Sequence, residues 1–203
     1  MKAGWAYMKF LCFALVLVAA IPQISLADDD IFQWKKVGGW SVAVDRTVGN
    51  GCFVVTSFED GTVFRLGFSF TKKENPFYIL IGNANWKSLE SGKQYPVEFS
   101  LDRSEWTADA TAVEYKDFKG LWIDFDDVGL VDEFARKLNF RATFNGKEIA
   151  AFRLKNSVAA ADEMLACQKA VNATIAKRPE PPKSKDPFEG KPDTKAKSDP
   201  FEL

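Results

Sequence analysis

Between residues 37 and 155, apolar and polar positions alternate in short runs separated by turn residues, the pattern of strands with one buried face. Trp40, Val42 and Val44 share one face of a first strand that follows Gly38-Gly39. Gly49-Asn50-Gly51 turns the chain into an apolar run over 52–58, and Asp60-Gly61 reads as a two-residue hairpin that tolerates positive φ. Over 62–70, Phe64, Leu66, Phe68 and Phe70 lie opposite Val63 and Arg65. A polar loop, 72–76, precedes the dense apolar run 77–81. Ser91-Gly92-Lys93 then leads into 94–101, where Val97, Phe99 and Leu101 alternate with Glu98, Ser100 and Asp102. The period weakens over 104–113, where Trp106, Ala108 and Ala110 carry it, and returns at 121–125. Asn145-Gly146, between runs 140–144 and 147–154, is the strongest two-residue hairpin signal in the chain.

Two stretches change to helical spacing. Asp126-Asp127 offers a capping side chain, and Val131, Phe134, Ala135 and Leu138 follow at intervals of three and four. Ser157 opens a longer, alanine-rich helix on which Val158, Ala161, Met164 (with Leu165) and Gln168 recur to about residue 174. The fold class expected is α+β: a mostly antiparallel β domain, sandwich or barrel-like, with a short helix and a C-terminal helix against one face or end.

Both ends of the chain depart from this pattern. Lys2 and Lys9 precede an apolar stretch of about 12 residues, 10–21, after which Pro22 and Ser25-Leu26-Ala27 supply a break and small residues for cleavage. Residues 1–27 thus read as a secretory signal peptide, since a membrane span needs roughly 20 apolar residues. That leaves a single β-rich domain over 28–177 and no stable membrane anchor. From 178 to 203 the chain becomes rich in proline and lysine, the composition of a disordered, solvated tail. The tail holds an internal repeat, Asp186-Pro187-Phe188-Glu189 and Asp199-Pro200-Phe201-Glu202. Extended backbone, one aromatic anchor and flanking carboxylates suit docking to a protein partner. A duplicated solubilising spacer, or phenylalanines that fold back on the domain, would explain the same repeat.

Export changes the cysteine count. Cys12 leaves with the signal, so Cys52 and Cys167 remain, most simply read as one disulfide in an oxidising compartment. Two unpaired thiols are the alternative. Loss of Lys2 and Lys9 also moves the formal net charge from −1 to −3, which gives the surface no electrostatic reason to seek nucleic acid. The chain has no histidine, which removes Ser-His-Asp and Cys-His catalysis and the histidine-containing zinc sites. Asp124, Asp126, Asp127, Asp132 and Glu133 lack the spacing of a calcium loop, and capping explains them as well. Of Trp34, Trp40, Trp86, Trp106 and Trp122, one or two at most are expected at the surface. No cofactor fingerprint is present.

Gly39-Trp40-Ser41-Val42 with Cys52-Phe53-Val54, and the stretch Phe152-Arg153-Leu154-Lys155-Asn156-Ser157 leading through Ala159-Ala160 to Leu165 and Cys167, resemble small exported proteins of alphaproteobacteria. The layout is similar to the invasion-associated locus B family, periplasmic or surface β-rich proteins linked to host-cell entry. The central cysteine pair of that family has no counterpart here, and the resemblance transfers no catalytic residues. It implies a bacterial envelope setting, periplasmic or secreted. The function expected is binding of a protein partner in the envelope, without a cofactor and without catalysis. Two alternatives stand beside it. One is a periplasmic inhibitor of a lysozyme or protease that presents a loop such as 72–76. The other is a carboxylate-dependent enzyme acting on envelope polysaccharide, which requires two facing carboxyl groups in a cleft.

Overall fold

The alternating runs become ten strands. The computed structural model describes residues 30–74, 76–115 and 118–177. In chain order they are β1 (Ile31–Val37), β2 (Trp40–Asp45), β3 (Gly51–Ser57), β4 (Thr62–Phe68), β5 (Phe77–Asn83), β6 (Gln94–Leu101), β7 (Ser104–Tyr115), β8 (Phe118–Phe125), α1 (Val128–Arg136), β9 (Asn139–Phe144), β10 (Lys147–Arg153) and α2 (Ser157–Ala176). All strands join one antiparallel sheet in the order β1-β2-β3-β4-β5-β8-β7-β6-β9-β10. This is a mostly β fold with two helices. It is built on one continuous, unclosed sheet rather than on two stacked ones.

The sheet is nevertheless strongly curled. β4 and β10 lie six places apart in the strand order, about 29 Å in a flat sheet at roughly 4.8 Å per strand. Yet the rings of Phe64 on β4 and Phe152 on β10 have centroids 5.2 Å apart, and Phe58 stacks on Phe152 at 4.0 Å. The inner face therefore wraps around one core, and the phenylalanines fill it. Phe64 also meets Phe134 of α1 at 5.8 Å and Phe140 of β9 at 5.1 Å. Val97, Phe99 and Leu101 point inward and are buried, as their alternation predicts. β5 sits mid-sheet and is buried along its whole length, which is why 77–81 reads as a continuous apolar run.

Local chemistry sets the boundaries. Asp127 caps α1 by accepting the Gly129 N–H at 2.7 Å. The helix stops at Arg136, because Asp102 accepts the backbone N–H of Leu138 and Asn139 and draws the chain into β9. Leu138 thus lies outside the helix and is 69% exposed, contrary to its place in the helical spacing. Asn145 and Gly146 both have positive φ, 51° and 71°, and form the two-residue hairpin. At Asp60-Gly61 only Gly61, at 80°, has positive φ. The Phe58 N–H donates to Thr62 O, closing a three-residue loop instead of the two-residue turn expected there.

The two edge strands each carry a β-bulge, at Trp34 in β1 and at Ile149 in β10. A bulge twists an edge away from uncontrolled pairing, and the charged residues Lys35, Lys36, Lys147 and Glu148 act in the same direction. β1 itself lies outside the alternating pattern, which begins at residue 37. Its period is broken by the bulge, and most of its residues are exposed.

Arg65 and Val63 alternate against the inward phenylalanines, but the outer face there is not solvent. Arg65 is buried with Asp45, Phe53 and Tyr78. Its Nη2 donates to Asp45 at 2.5 Å, its Nε donates to Tyr78 Oη, and its guanidinium lies 3.5 Å over the Phe53 ring. Tyr78 stacks on Trp122 at 3.8 Å, and burial pushes its phenol well above the ordinary value. Burial also works against the Asp45 carboxylate. Hydrogen bonds from Thr47 and Arg65, with the Arg65 charge, outweigh that and hold its pKa below the usual range.

A carboxylate that titrates lower in the folded state contributes stability above its unfolded pKa and loses it as pH falls through its folded one. Stability should therefore fall on acidification below about pH 4. Asp45→Asn should lack that part of the acid loss and start about 3–5 kcal/mol less stable at pH 7, because Arg65 is left buried and uncompensated. Urea unfolding of both proteins at pH 7, 5 and 3 measures this, and identical pH slopes would refute it.

Candidate functional site

Two of the exposed aromatic side chains, Phe32 and Trp34, sit together on β1. The backbone groups of this edge strand that point away from β2 pair with no described strand. At the bulge, Gln33 pairs with Ala43 and Lys35 with Val42, so Trp34 is the extra residue. Gln33 Nε2 donates to Lys35 O at 3.1 Å and Val42 O at 2.9 Å, which fills the gap in the ladder. Trp34 leans toward α2, where its Nε1 donates to Glu163 Oε1 at 2.9 Å, and Lys35 Nζ donates to Glu163 Oε2 at 2.7 Å. The Lys35 hydrogen bond first, then that of Trp34, holds the Glu163 carboxyl below its ordinary pKa.

Beside that contact a groove of about 330 Å³ lies between β1, β2 and α2. Phe32, Trp34 and Val44 form one wall, Val171 and Ile175 the other, and Arg46 stands at the rim. The Arg46 guanidinium lies 4.2 Å over the Phe32 ring. Phe32 and Trp34 are each 43% exposed and Ile175 is 46% exposed. Clustered apolar exposure beside an unpaired strand edge is the physical signature of a docking surface.

The helical wall is held by covalent and polar ties. Cys167 forms a disulfide with Cys52 on β3, with Cα atoms 6.1 Å apart. The neighbouring Gln168 is buried, accepts the Cys52 backbone N–H at 2.7 Å and donates to Asn172 Oδ1 at 3.0 Å. At the other end, Asn156 Nδ2 donates to Gly38 O and Trp40 Nε1 donates to Lys155 O, both at 2.8 Å.

Two other concavities are less suited to an aromatic anchor. A cleft of about 410 Å³ lies between the β5–β6 connection and the β9–β10 hairpin, floored by Trp86, Leu89, Tyr95 and Ile149, which also pack on the core, and by Phe144, whose ring meets Tyr95. A shallow hollow on the outer face of β6, β7 and β9 carries charged residues, with Glu98, Glu105 and Arg141 in its lining.

Several sequence candidates are dispersed. Asp124 accepts Lys72 and Trp122, Asp127 caps α1, Asp132 pairs with Arg136, and Glu133 accepts Ser104. Among the described residues no acidic or cysteine cluster is placed to hold a metal ion. Lys72 of the 72–76 loop is engaged with Asp124 at 2.7 Å. Trp40 is core, Trp86, Trp106 and Trp122 are partly buried, and Trp34 is the tryptophan at the surface. Both repeats, Asp186-Pro187-Phe188-Glu189 and Asp199-Pro200-Phe201-Glu202, lie outside the described residues, as do residues 1–27. Sequence reasoning missed Phe32, Ile175 and Glu163 as neighbours. The exposed aromatic pair in β1 was a usable signal, whereas Glu163 lies 128 residues from Lys35 and gave none.

The fold and groove together define a class: a single curled antiparallel sheet with a disulfide-tied helix flanking an open edge. No protein-family model and no curated protein matches the chain. Among solved structures it is similar to the crystal structure of invasion associated protein B from Bartonella henselae, with a TM-score of 0.47 and 12% sequence identity. That likeness covers 66% of this chain and 97% of the other. It carries the same name as the family that the two end motifs resemble.

Breaking the bridge should weaken the domain and loosen the wall of the groove. A crosslink across a sequence separation of 115 residues contributes about 4–5 kcal/mol on a chain-entropy account. Cys52→Ser with Cys167→Ser should lose most of that in urea unfolding, and hydrogen exchange should rise first in α2. A double variant as stable as the parent would refute the assignment.

Proposed function

We propose that the chain is an exported bacterial envelope protein that acts by binding, with the groove between β1 and α2 as its docking face for an extended segment of a protein partner. The observation that carries this reading is the pairing of an open strand edge with Phe32, Trp34 and Ile175 at the surface. A peptide lying along β1 would gain main-chain hydrogen bonds from the edge and side-chain specificity from the groove. The basic-then-apolar layout of residues 1–27 supports export, as does the Cys52–Cys167 bridge, since disulfides persist in oxidising compartments.

The lack of histidine supports binding over catalysis.

Photo-crosslinking of the tagged protein in an envelope fraction tests the reading. Trp34→Ala and Phe32→Ser should abolish a crosslinked partner that Thr107→Ala, on the outer face, retains. Each change is at the surface and should alter stability by no more than about 1 kcal/mol. A partner captured equally by all variants would overturn the assignment of the groove.

A further inference from the structure

The groove opens beside the place where the chain leaves the domain. Thr174 and Ile175 line it, α2 ends at Ala176, and residues 178–203 continue beyond the described helix. We propose that in the resting protein the groove is filled by the chain's own C-terminal segment, with Phe188 seated between Trp34 and Ile175. This rests on the reading of the groove as a peptide-docking face and names its resident occupant.

Length permits it. Pro179, Pro181 and Pro182 favour polyproline geometry, in which residues 178–182 would span about 16 Å at about 3.1 Å per residue. Six further residues, at up to about 3.3 Å each, return about 20 Å and bring Phe188 back to the last turns of the helix. Ser184, between Lys183 and Lys185, stands where the reversal is needed. The helical lining of the groove, from Ala170 to Ile175, is about 8 Å of helix, within the same reach.

Chemistry selects the same residue. Phe188 and Phe201 are the only aromatic side chains in 178–203, and each is preceded by Asp-Pro and followed by Glu. The groove offers aromatic and aliphatic walls, with Arg46 at its rim. A proline-extended segment with one aromatic anchor suits those walls in shape, and it places Asp186 and Glu189 on either side of the ring. Tethering does the rest. A linker this short supplies an effective concentration on the order of 1 mM, so a contact with Kd on the order of 100 μM is about 90% occupied. Phe201 lies 13 residues further on and can take the same seat or reach another copy.

The test uses the full exported chain and a fluorescein-labelled peptide of residues 184–191. The parent, with its groove filled, should bind the peptide about tenfold more weakly than the Phe188→Ala/Phe201→Ala protein. Trp34→Ala should remove binding in both backgrounds, and a peptide with alanine in place of phenylalanine should not bind. Equal affinity for parent and double variant, or no binding to the double variant, overturns self-docking. So does a parent that sediments as a dimer at the assay concentration, because the occupant is then a second copy's tail. If self-docking fails while crosslinking of the envelope partner still depends on Trp34, only this inference falls. If that dependence is absent too, the docking reading falls with it.

Discussion

A sheet that curls must fill the space it encloses, and here the filling is aromatic and converges on Phe64. Its ring meets Trp40 at 6.0 Å, Phe134 at 5.8 Å, Phe140 at 5.1 Å and Phe152 at 5.2 Å. Those partners come from β2, α1, β9 and β10, so one side chain ties both ends of the strand order to the first helix. Aromatic rings suit this task because each covers a large area with few torsions to freeze, and tilted contacts between them add to simple burial. The cluster explains why one sheet can bend far enough to behave as two layers without being cut or closed.

The last helix depends on that bend but is not held by it alone. α2 crosses the concave side near β1, β2 and β3, where the aromatic cluster ends. There the ties become specific: a disulfide to β3, a glutamine that takes over a strand N–H, and a carboxylate shared by Trp34 and Lys35. Each demands a particular partner, so together they set the register of the helix along the sheet. The part of α2 past Asn172 has fewer such ties. Its Thr174 and Ile175 form part of the wall of the groove.

Much of this architecture is legible in residues 37–155. Strands with a buried face announce themselves, as Val97, Phe99 and Leu101 do, and so do turns with a backbone requirement, such as Asn145-Gly146. The Asp127 cap is legible because its hydrogen bond is local. What escapes detection is settled by distant neighbours. β1 is exposed and bulged, so it has neither a clean period nor a buried face. Arg65 occupies a position that alternation assigns to solvent, and it is buried because Phe53 and Tyr78 flank it from adjacent strands. The candidate site sits in this second category. Trp34 is recognisable as one of a few tryptophans, but its place beside Glu163 of α2 rests on a contact across 129 residues, which no local pattern reports.

The Cys52–Cys167 bridge bears on when the molecule becomes competent, as well as on how firmly it holds. Cys167 lies three residues before Ala170, the first helical residue in the lining of the groove. Without the bridge, the ties left to the helical wall are reversible ones, the hydrogen bonds of Gln168, Glu163 and Asn156. Oxidation makes the wall permanent. Under the export proposed above, the helical wall is locked only where disulfides persist, in an oxidising compartment and after synthesis.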